Sequence, residues 1–140
     1  MTLTYNEADA QKIIAFWKAK GYNNYAICAW LGNWYVESGL RSNNAQNTYM
    51  NKYGLTDEEY TLRVDNGTWA TPDTNKPFSR DAIGYGLAQW TSAGRKDGLL
   101  KYVQSKQKSI SDIQSQLEYA YKELTSGSYK DTIEALKSAT

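Results

Sequence analysis

The stretch GNWYVESGLRSNNAQ, residues 32–46, ends an apolar helical run with a single carboxylate, Glu37. Each residue of a helix turns by about 100°, so side chains at positions i, i+3, i+4 and i+7 share one face. Glu37 follows Trp30 by seven residues and therefore falls on the apolar face, whereas a surface glutamate normally lies on the polar face. The pattern predicts a helix from about Asn24 to Glu37 that points this carboxylate inward or into a cleft. The apolar face contains Ile27, Trp30, Leu31 and Trp34.

A carboxyl group in this position suggests acid catalysis. An apolar wall and the partial negative charge of a helix C-terminus both disfavour ionisation, so we expect Glu37 to keep its proton. A protonated glutamic acid beside a tryptophan is the general acid of a glycosidase. The alternative is that Glu37 is a frayed, solvated helix end without a function. Ser38 and Gly39 end the predicted helix, and such small residues let a backbone or a ligand approach closely.

Two further segments place polar groups where a ligand could bind. SNNAQN, residues 42–47, offers amides that can orient a carboxyl group or bind sugar hydroxyls, although Asn-Asn is also common in polar turns. IGYGLAQWT, residues 83–91, places Gln89 among apolar neighbours, and a buried amide needs partners from the backbone or from a ligand. Gly84 and Gly86 permit close approach of another backbone, but a tight turn that packs an aromatic ring would explain them equally well.

The 140 residues predict one all-helical domain with about six helices. Asn6 is the predicted N-cap of the first helix, and the patterns T-x-x-E at Thr56 and S-x-x-Q at Ser111 predict two more helix starts. Residues 66–90 are predicted to form a loop punctuated by glycine and proline. The six helices are expected to start near residues 6, 24, 56, 92, 111 and 128.

Composition excludes several kinds of catalytic site. The chain has no histidine and one cysteine, so histidine-based triads, histidine metal sites and intrachain disulfides are excluded. We interpret Cys28, which lies in an apolar helical run, as a small buried hydrophobic residue. Any catalysis should rest on carboxylates, lysine, tyrosine, hydroxyls or backbone groups, without a metal or cofactor. The 12 Tyr and 5 Trp residues suit a wet groove, but equally a core in which Tyr replaces Phe.

Charge and hydropathy patterns predict neither a nucleic-acid partner nor a membrane partner. The net charge is +1 and no long basic run occurs, which argues against binding along a phosphate backbone. No apolar stretch approaches the ~18 residues of a membrane span. The opening MTLTYNEADAQ lacks the basic and apolar regions of a signal peptide, so secretion by that route is not expected.

The two motifs together, in this order and followed by an Arg-Lys pair, resemble the phage tail lysozyme family. That family belongs with the goose-type lysozymes and the soluble lytic transglycosylases. The resemblance extends from about Tyr25 to about Leu124. The residues that carry it are Glu37-Ser38-Gly39-Leu40, Asn44, Ala45, Gly84 to Thr91, and Arg95-Lys96.

The resemblance implies that residues 1–140 form an all-α, lysozyme-like catalytic domain with a groove for the peptidoglycan glycan strand. Glu37 would be the catalytic acid that cleaves the β-1,4 bond between N-acetylmuramic acid and N-acetylglucosamine. The implied partners are glycan strands, together with other phage tail proteins or fused domains of a larger tail protein or endolysin. The protein would then be made in the host cytoplasm and act from a virion tail or at the cell wall. The implied substrate-binding residues are Tyr85, Gln89, Trp90 and Asn44.

The residues leave the mechanism open. An inverting glycosidase needs a second carboxylate ~6.5–9.5 Å from the acid and a retaining one needs it at ~5–5.5 Å. Asp65 and Asp81 are candidates, although the first can be a helix-end turn residue and the second a loop cap. Lytic transglycosylases resemble this group closely and use a lone glutamate to close an anhydro ring. A catalytically silent glycan-binding tail module is the alternative from another class, and it would not need Glu37.

Overall fold

The structure is a computed structural model that describes residues 5–140; residues 1–4, part of the stretch without a signal-peptide pattern, lie outside it. Residues 5–140 form helices and loops without a named β-strand, so the predicted all-α fold is confirmed. One α-helix more is present than predicted. The seven α-helices are α1 (Glu7–Ala19), α2 (Asn24–Ser38), α3 (Asn47–Tyr53), α4 (Asp57–Asp65), α5 (Ala93–Ser105), α6 (Ile113–Ser126) and α7 (Lys130–Ala135), with short 3-10 helices at Phe78–Arg80 and Leu136–Ser138.

Side-chain caps start the helices largely where the sequence predicts them. The side chains of Asn6 and Thr56 each accept a hydrogen bond, 3.0 Å long, from the backbone N–H three residues on. The prediction for Ser111 is wrong by one residue, because Asp112 is the N-cap of α6. Its carboxylate accepts from both the N–H and the hydroxyl of Ser115, at 3.0 and 2.6 Å, and a carboxylate is the stronger acceptor.

The additional helix α3 follows directly after the amide-rich segment 42–47. It spans only seven residues and ends at Gly54 in the left-handed conformation, with φ of 66°. Met50 is its one buried residue, so this stretch shows no apolar periodicity that a sequence could reveal. The predicted loop over residues 66–90 is confirmed, apart from the 3-10 turn at Phe78–Arg80.

Aromatic rings fill the core between α1 and α2. Trp17 of α1 stacks on Trp30 of α2 with ring centroids 3.8 Å apart and planes 9° from parallel. Tyr22 meets both indoles edge-on, at 5.6 and 4.9 Å. The prediction that Cys28 is buried is wrong, since its side chain is exposed. The buried face of α2 runs through Ile27 and Trp30, and Cys28 is turned about 100° away from Ile27 toward solvent.

A buried ion pair joins α5 to the loop in front of it. The ammonium group of Lys96 pairs with the Asp81 carboxylate and also donates to the Ile83 carbonyl oxygen at 2.6 Å. Asp81 further accepts from the Tyr60 hydroxyl at 2.6 Å and from the Trp69 indole N–H at 2.9 Å. Both charged side chains are 0% exposed. Burial lowers the pKa of Lys96 to about 8, although the negative charge of Asp81 opposes that shift.

No helix among residues 5–140 is both long and apolar enough to span a membrane.

We predict that Lys96→Met destabilises the fold by about 3–5 kcal/mol, because it leaves the Asp81 carboxylate buried without its cation. Urea unfolding followed by circular dichroism measures this change. Lys96→Met combined with Asp81→Leu should recover much of the lost stability, since the double variant buries no charge at all.

Lys101→Met is the matched control, because Lys101 lies on the same helix in an exposed i, i+4 pair with Asp97. Its removal should change the unfolding free energy by no more than about 0.5 kcal/mol. Equal effects of Lys96→Met and Lys101→Met would contradict a structural role for the buried pair.

Candidate active site

An open cleft lies at the C-terminal end of α2, where the sequence motif ESG is found. We call it the Glu37 cleft. Its volume of about 550 Å³ is in the usual range for small-molecule sites. It is lined by Tyr5, Asn6, Val36, Glu37, Ser38, Gly39, Arg41, Asn44 and Asn47.

Glu37 lies in the cleft, as one form of the prediction had it, but it is exposed rather than buried against an apolar wall. The core-facing side of α2 passes through Trp30 and Trp34 and ends at Ser38. At this last turn the helix borders the open cleft, and Glu37 faces that space. The prediction that Glu37 points inward is therefore wrong, and the expectation that an apolar wall keeps it protonated has lost its basis.

Short-range contacts fix the end of α2, and with it the backbone that carries Glu37. The buried hydroxyl of Ser38 donates toward the carbonyl oxygens of Trp34 and Leu87, at 2.9 and 3.0 Å. Gly39 has φ of 62° and donates its N–H to Tyr35 at 2.8 Å. Leu40 follows with φ of 60°, which disfavours a non-glycine residue, and its buried side chain holds it there. The carboxylate thus projects from a rigid element.

The two sequence motifs meet behind the cleft. Ala45 and Tyr85 form an isolated antiparallel bridge, the shortest possible piece of β-pairing. On either side of it, the Gln46 N–H donates to the Gly84 carbonyl oxygen at 2.8 Å and the Gly86 N–H donates to the Asn44 carbonyl oxygen at 3.0 Å. The amide-rich segment 42–47 is therefore held in place by the glycine-rich segment 83–91.

A single buried amide, that of Gln116 on α6, holds these loops together. Its carbonyl oxygen accepts from the Leu87 N–H at 3.0 Å, and its NH₂ group donates to the carbonyl oxygens of Ser42 and Ile110 at 2.7 and 2.8 Å. Gly86 packs directly against it: a Cβ atom at this position would lie 2.8 Å from the Gln116 carbonyl oxygen. The close backbone approach predicted at the glycines is thus confirmed, and a side chain rather than a ligand is what approaches.

Two of the predicted substrate-binding residues lie in the core. Tyr85 and Trp90 are both 0% exposed. The Tyr85 hydroxyl is hydrogen-bonded to Thr61 at 2.6 Å, and the Trp90 indole N–H donates to Glu123 at 2.8 Å. A ring without exposed surface has none to offer a sugar, so a direct contact by either side chain does not fit this structure. Both rings instead shape the loop that supports the cleft.

The other two predicted residues differ from each other. Gln89 lies outside the cleft and its amide nitrogen already donates to the carbonyl oxygens of Asn44 and Gly86, at 2.9 and 3.0 Å. A sugar could reach only its remaining carbonyl oxygen. Asn44 does line the Glu37 cleft. Its side-chain oxygen accepts from Arg41, so its NH₂ group is what it can present to a ligand.

Neither candidate for a second carboxylate lines the Glu37 cleft. Asp81 is buried in its ion pair with Lys96. Asp65 accepts from the Ser109 hydroxyl and from the Ile110 N–H, and it borders a separate pocket near the end of α5. Among the cleft-lining residues that the structure describes, Glu37 is the one carboxylate.

Sequence reasoning did not single out three residues of the cleft. Val36 is 83% exposed and Tyr5 is 49% exposed, so both present apolar surface beside Glu37. Tyr5 also lines a second, more apolar groove of about 340 Å³ between α1 and α2. Arg41 supplies the positive charge of the cleft. Tyr5 precedes the first helix, and Val36 and Arg41 lie off the apolar face, so periodicity carries no signal for them.

No group of histidine, cysteine and carboxylate side chains in the described part of the chain is arranged to hold a metal ion.

Comparison with known proteins gives one match. A family model for phage tail lysozyme matches residues 8–140. Searches of curated proteins and of solved structures find no match to this chain. The matched region runs from the first turn of α1 to the end of the chain and includes both motifs that meet behind the cleft.

We predict that Gly86→Ala destabilises the protein about 1–3 kcal/mol more than Gly39→Ala does. Both glycines have positive φ, 81° and 62°, so both substitutions strain the backbone. Only at Gly86 does the added methyl group meet a neighbour, the locked Gln116 amide, while around Gly39 nothing lies within 4 Å. Thermal or urea unfolding of the two variants measures the difference. A Gly39→Ala variant as unstable as Gly86→Ala would contradict the packing described here.

Proposed function

Since the chain belongs to the phage tail lysozyme family, we propose that it is a glycoside hydrolase that cleaves the β-1,4 bond between N-acetylmuramic acid and N-acetylglucosamine in peptidoglycan. Membership of the family indicates a lysozyme-like, peptidoglycan-degrading activity. The bond, the catalytic acid and the mechanism are our proposal.

One observation supports the proposal most strongly: Glu37 is the one carboxylate among the described residues that line the cleft. It projects from a helix end fixed by Ser38 and Gly39, so its position does not depend on a mobile loop. Catalysis by a positioned acid requires such a group within hydrogen-bond reach of the atom that it protonates. The open cleft gives a polymeric substrate access to it.

In the proposed reaction, the protonated Glu37 carboxyl group donates its proton to the glycosidic oxygen as the C–O bond breaks. The departing sugar leaves with a hydroxyl group, and positive charge develops at the anomeric carbon of the other sugar. Water then adds to that carbon and loses a proton, which leaves a reducing end. The side chains of Asn44 and Asn47 offer hydrogen bonds to the sugars, and the exposed ring of Tyr5 offers an apolar face.

A lytic transglycosylase is the second candidate, and a lone carboxylate in the cleft favours it. Asp65 and Asp81 are engaged elsewhere, so neither is placed to activate a water molecule beside Glu37. In this alternative, Glu37 still protonates the leaving oxygen. The 6-hydroxyl of the muramic acid then attacks its own anomeric carbon, loses its proton and closes an anhydro ring, so no water is added.

We further propose that the protein acts on the bacterial cell wall as part of a phage tail or of an endolysin. Phage tail proteins or fused domains would hold it there, with the peptidoglycan strand as substrate.

Glu37→Gln should lower the rate of peptidoglycan release at least about 10²-fold, because the amide is nearly the same size but cannot act as a general acid. The loss of turbidity of a purified cell-wall suspension measures this rate. Glu134→Gln is the matched control, since Glu134 is an exposed carboxylate on α7, 71% accessible, and lies outside the cleft. If Glu37→Gln cleared walls as fast as wild type, Glu37 would not be the acid.

The masses of the soluble products separate the two candidate reactions. Hydrolysis predicts muropeptides with reducing ends, which borohydride converts to alditols. Transglycosylation predicts products lighter by one water that borohydride leaves unchanged. A folded wild-type protein that binds the wall but releases neither product would contradict both and would favour a glycan-binding module.

A further inference from the structure

Arg41 is the positively charged side chain of the Glu37 cleft. Of the nine cleft-lining residues that the structure describes, it is the one cation, and it follows the catalytic candidate by four positions. Its side chain is 48% exposed, so part of the guanidinium group is accessible from the cleft and from solvent. No role in the proposed proton transfer requires a cation, so its presence there calls for a separate explanation.

Two acceptors orient the guanidinium group. Its Nη2 atom donates to the Asp57 carboxylate at 2.9 Å and to the side-chain oxygen of Asn44. A guanidinium group carries five N–H donors in a planar fork, and these two contacts use only one of its nitrogen atoms. The remaining donors are therefore held in a fixed direction before any ligand binds, which lowers the entropic cost of binding.

The charge of Asp57 does not cancel that of Arg41 for a ligand. Asp57 also accepts from the Ala45 N–H at 3.0 Å, and it is the first residue of α4, where the helix dipole favours negative charge. Part of its negative charge is therefore compensated by backbone groups. A guanidinium group in this arrangement can still attract a second carboxylate on its open side.

We propose that Arg41 binds a carboxylate of the peptide stem on N-acetylmuramic acid, and thereby gives the cleft a preference for peptide-bearing, anionic glycan. The inference rests on the proposed function, which places a glycan strand in the Glu37 cleft. In that strand, N-acetylglucosamine is uncharged, and muramic acid carries its carboxylates on the lactyl-linked peptide. A cation beside the acid is thus positioned to distinguish the two sugars.

A purely structural role is the competing explanation, in which Arg41 only ties the segment after α2 to the start of α4. Loss of such a role would weaken the binding of charged and neutral ligands alike. A role in recognition affects only the charged ligand. The ratio of the two affinities therefore separates the explanations, because a change of stability alone does not alter it.

The test uses two forms of one ligand and a catalytically impaired protein. The ligand is a peptide-bearing tetrasaccharide purified from peptidoglycan, used either with free carboxylates or with those carboxylates converted to amides. Calorimetry measures the affinity of each form for Glu37→Gln and for Glu37→Gln/Arg41→Gln. The first protein should prefer the anionic form about tenfold, and the second should bind both forms equally.

Two further variants complete the design. Glu37→Gln/Arg41→Lys should keep part of the preference, because it keeps the charge but loses the planar fork. Arg63→Gln in the same background is the matched control, since Arg63 is an exposed arginine on α4 outside the cleft, and it should keep the full preference.

Equal affinity of Glu37→Gln for both ligand forms, or a preference that survives Arg41→Gln, would overturn the inference about Arg41 and leave the proposed function intact. Binding of neither form would contradict the proposed function, and the inference with it.

Discussion

The buried ion pair between Lys96 and Asp81 is the interaction on which the rest of the structure depends. Burying two charges carries a large desolvation cost, which is tolerable only when their polar atoms are all bonded. Tyr60, Trp69 and a backbone carbonyl supply those bonds. The pair fixes the chain immediately before the segment 83–91, and that segment in turn supports the amide-rich loop that walls the cleft. The geometry around Glu37 is thus set by contacts in the core, away from any exposed surface.

The sequence predicted features that depend on local pattern. The apolar period placed α2 within one residue of its observed end, and Asn6 and Thr56 marked two helix starts through their capping chemistry. Features that depend on distant contacts escaped it. Nothing near Tyr85 or Trp90 in the sequence shows that Thr61 and Glu123 complete their hydrogen bonds in the core. A short helix such as α3 with a single buried residue has no period to detect.

The abundant aromatic residues answer a question that composition left open. Tyr and Trp suit sugar-binding grooves and cores equally well, and here most of the rings described build the core. Trp17 and Trp30 stack between the first two helices, and other rings surround the ion pair. Tyr5 is the one aromatic residue among those that line the cleft. The cleft itself is mainly polar, which suits recognition of sugar hydroxyls, amides and charges by Glu37, Asn44 and Arg41 more than stacking.

The central claim is that a peptidoglycan strand lies in the Glu37 cleft with its scissile bond at residue 37. A crystal structure of Glu37→Gln with a peptide-bearing tetrasaccharide tests it most directly. The account predicts that a glycosidic oxygen lies about 2.6–3.2 Å from the side-chain amide of residue 37, with the adjoining sugars beside Asn44 and Tyr5. A tetrasaccharide bound elsewhere, for example along the apolar groove between α1 and α2 with no glycosidic oxygen near residue 37, would contradict it.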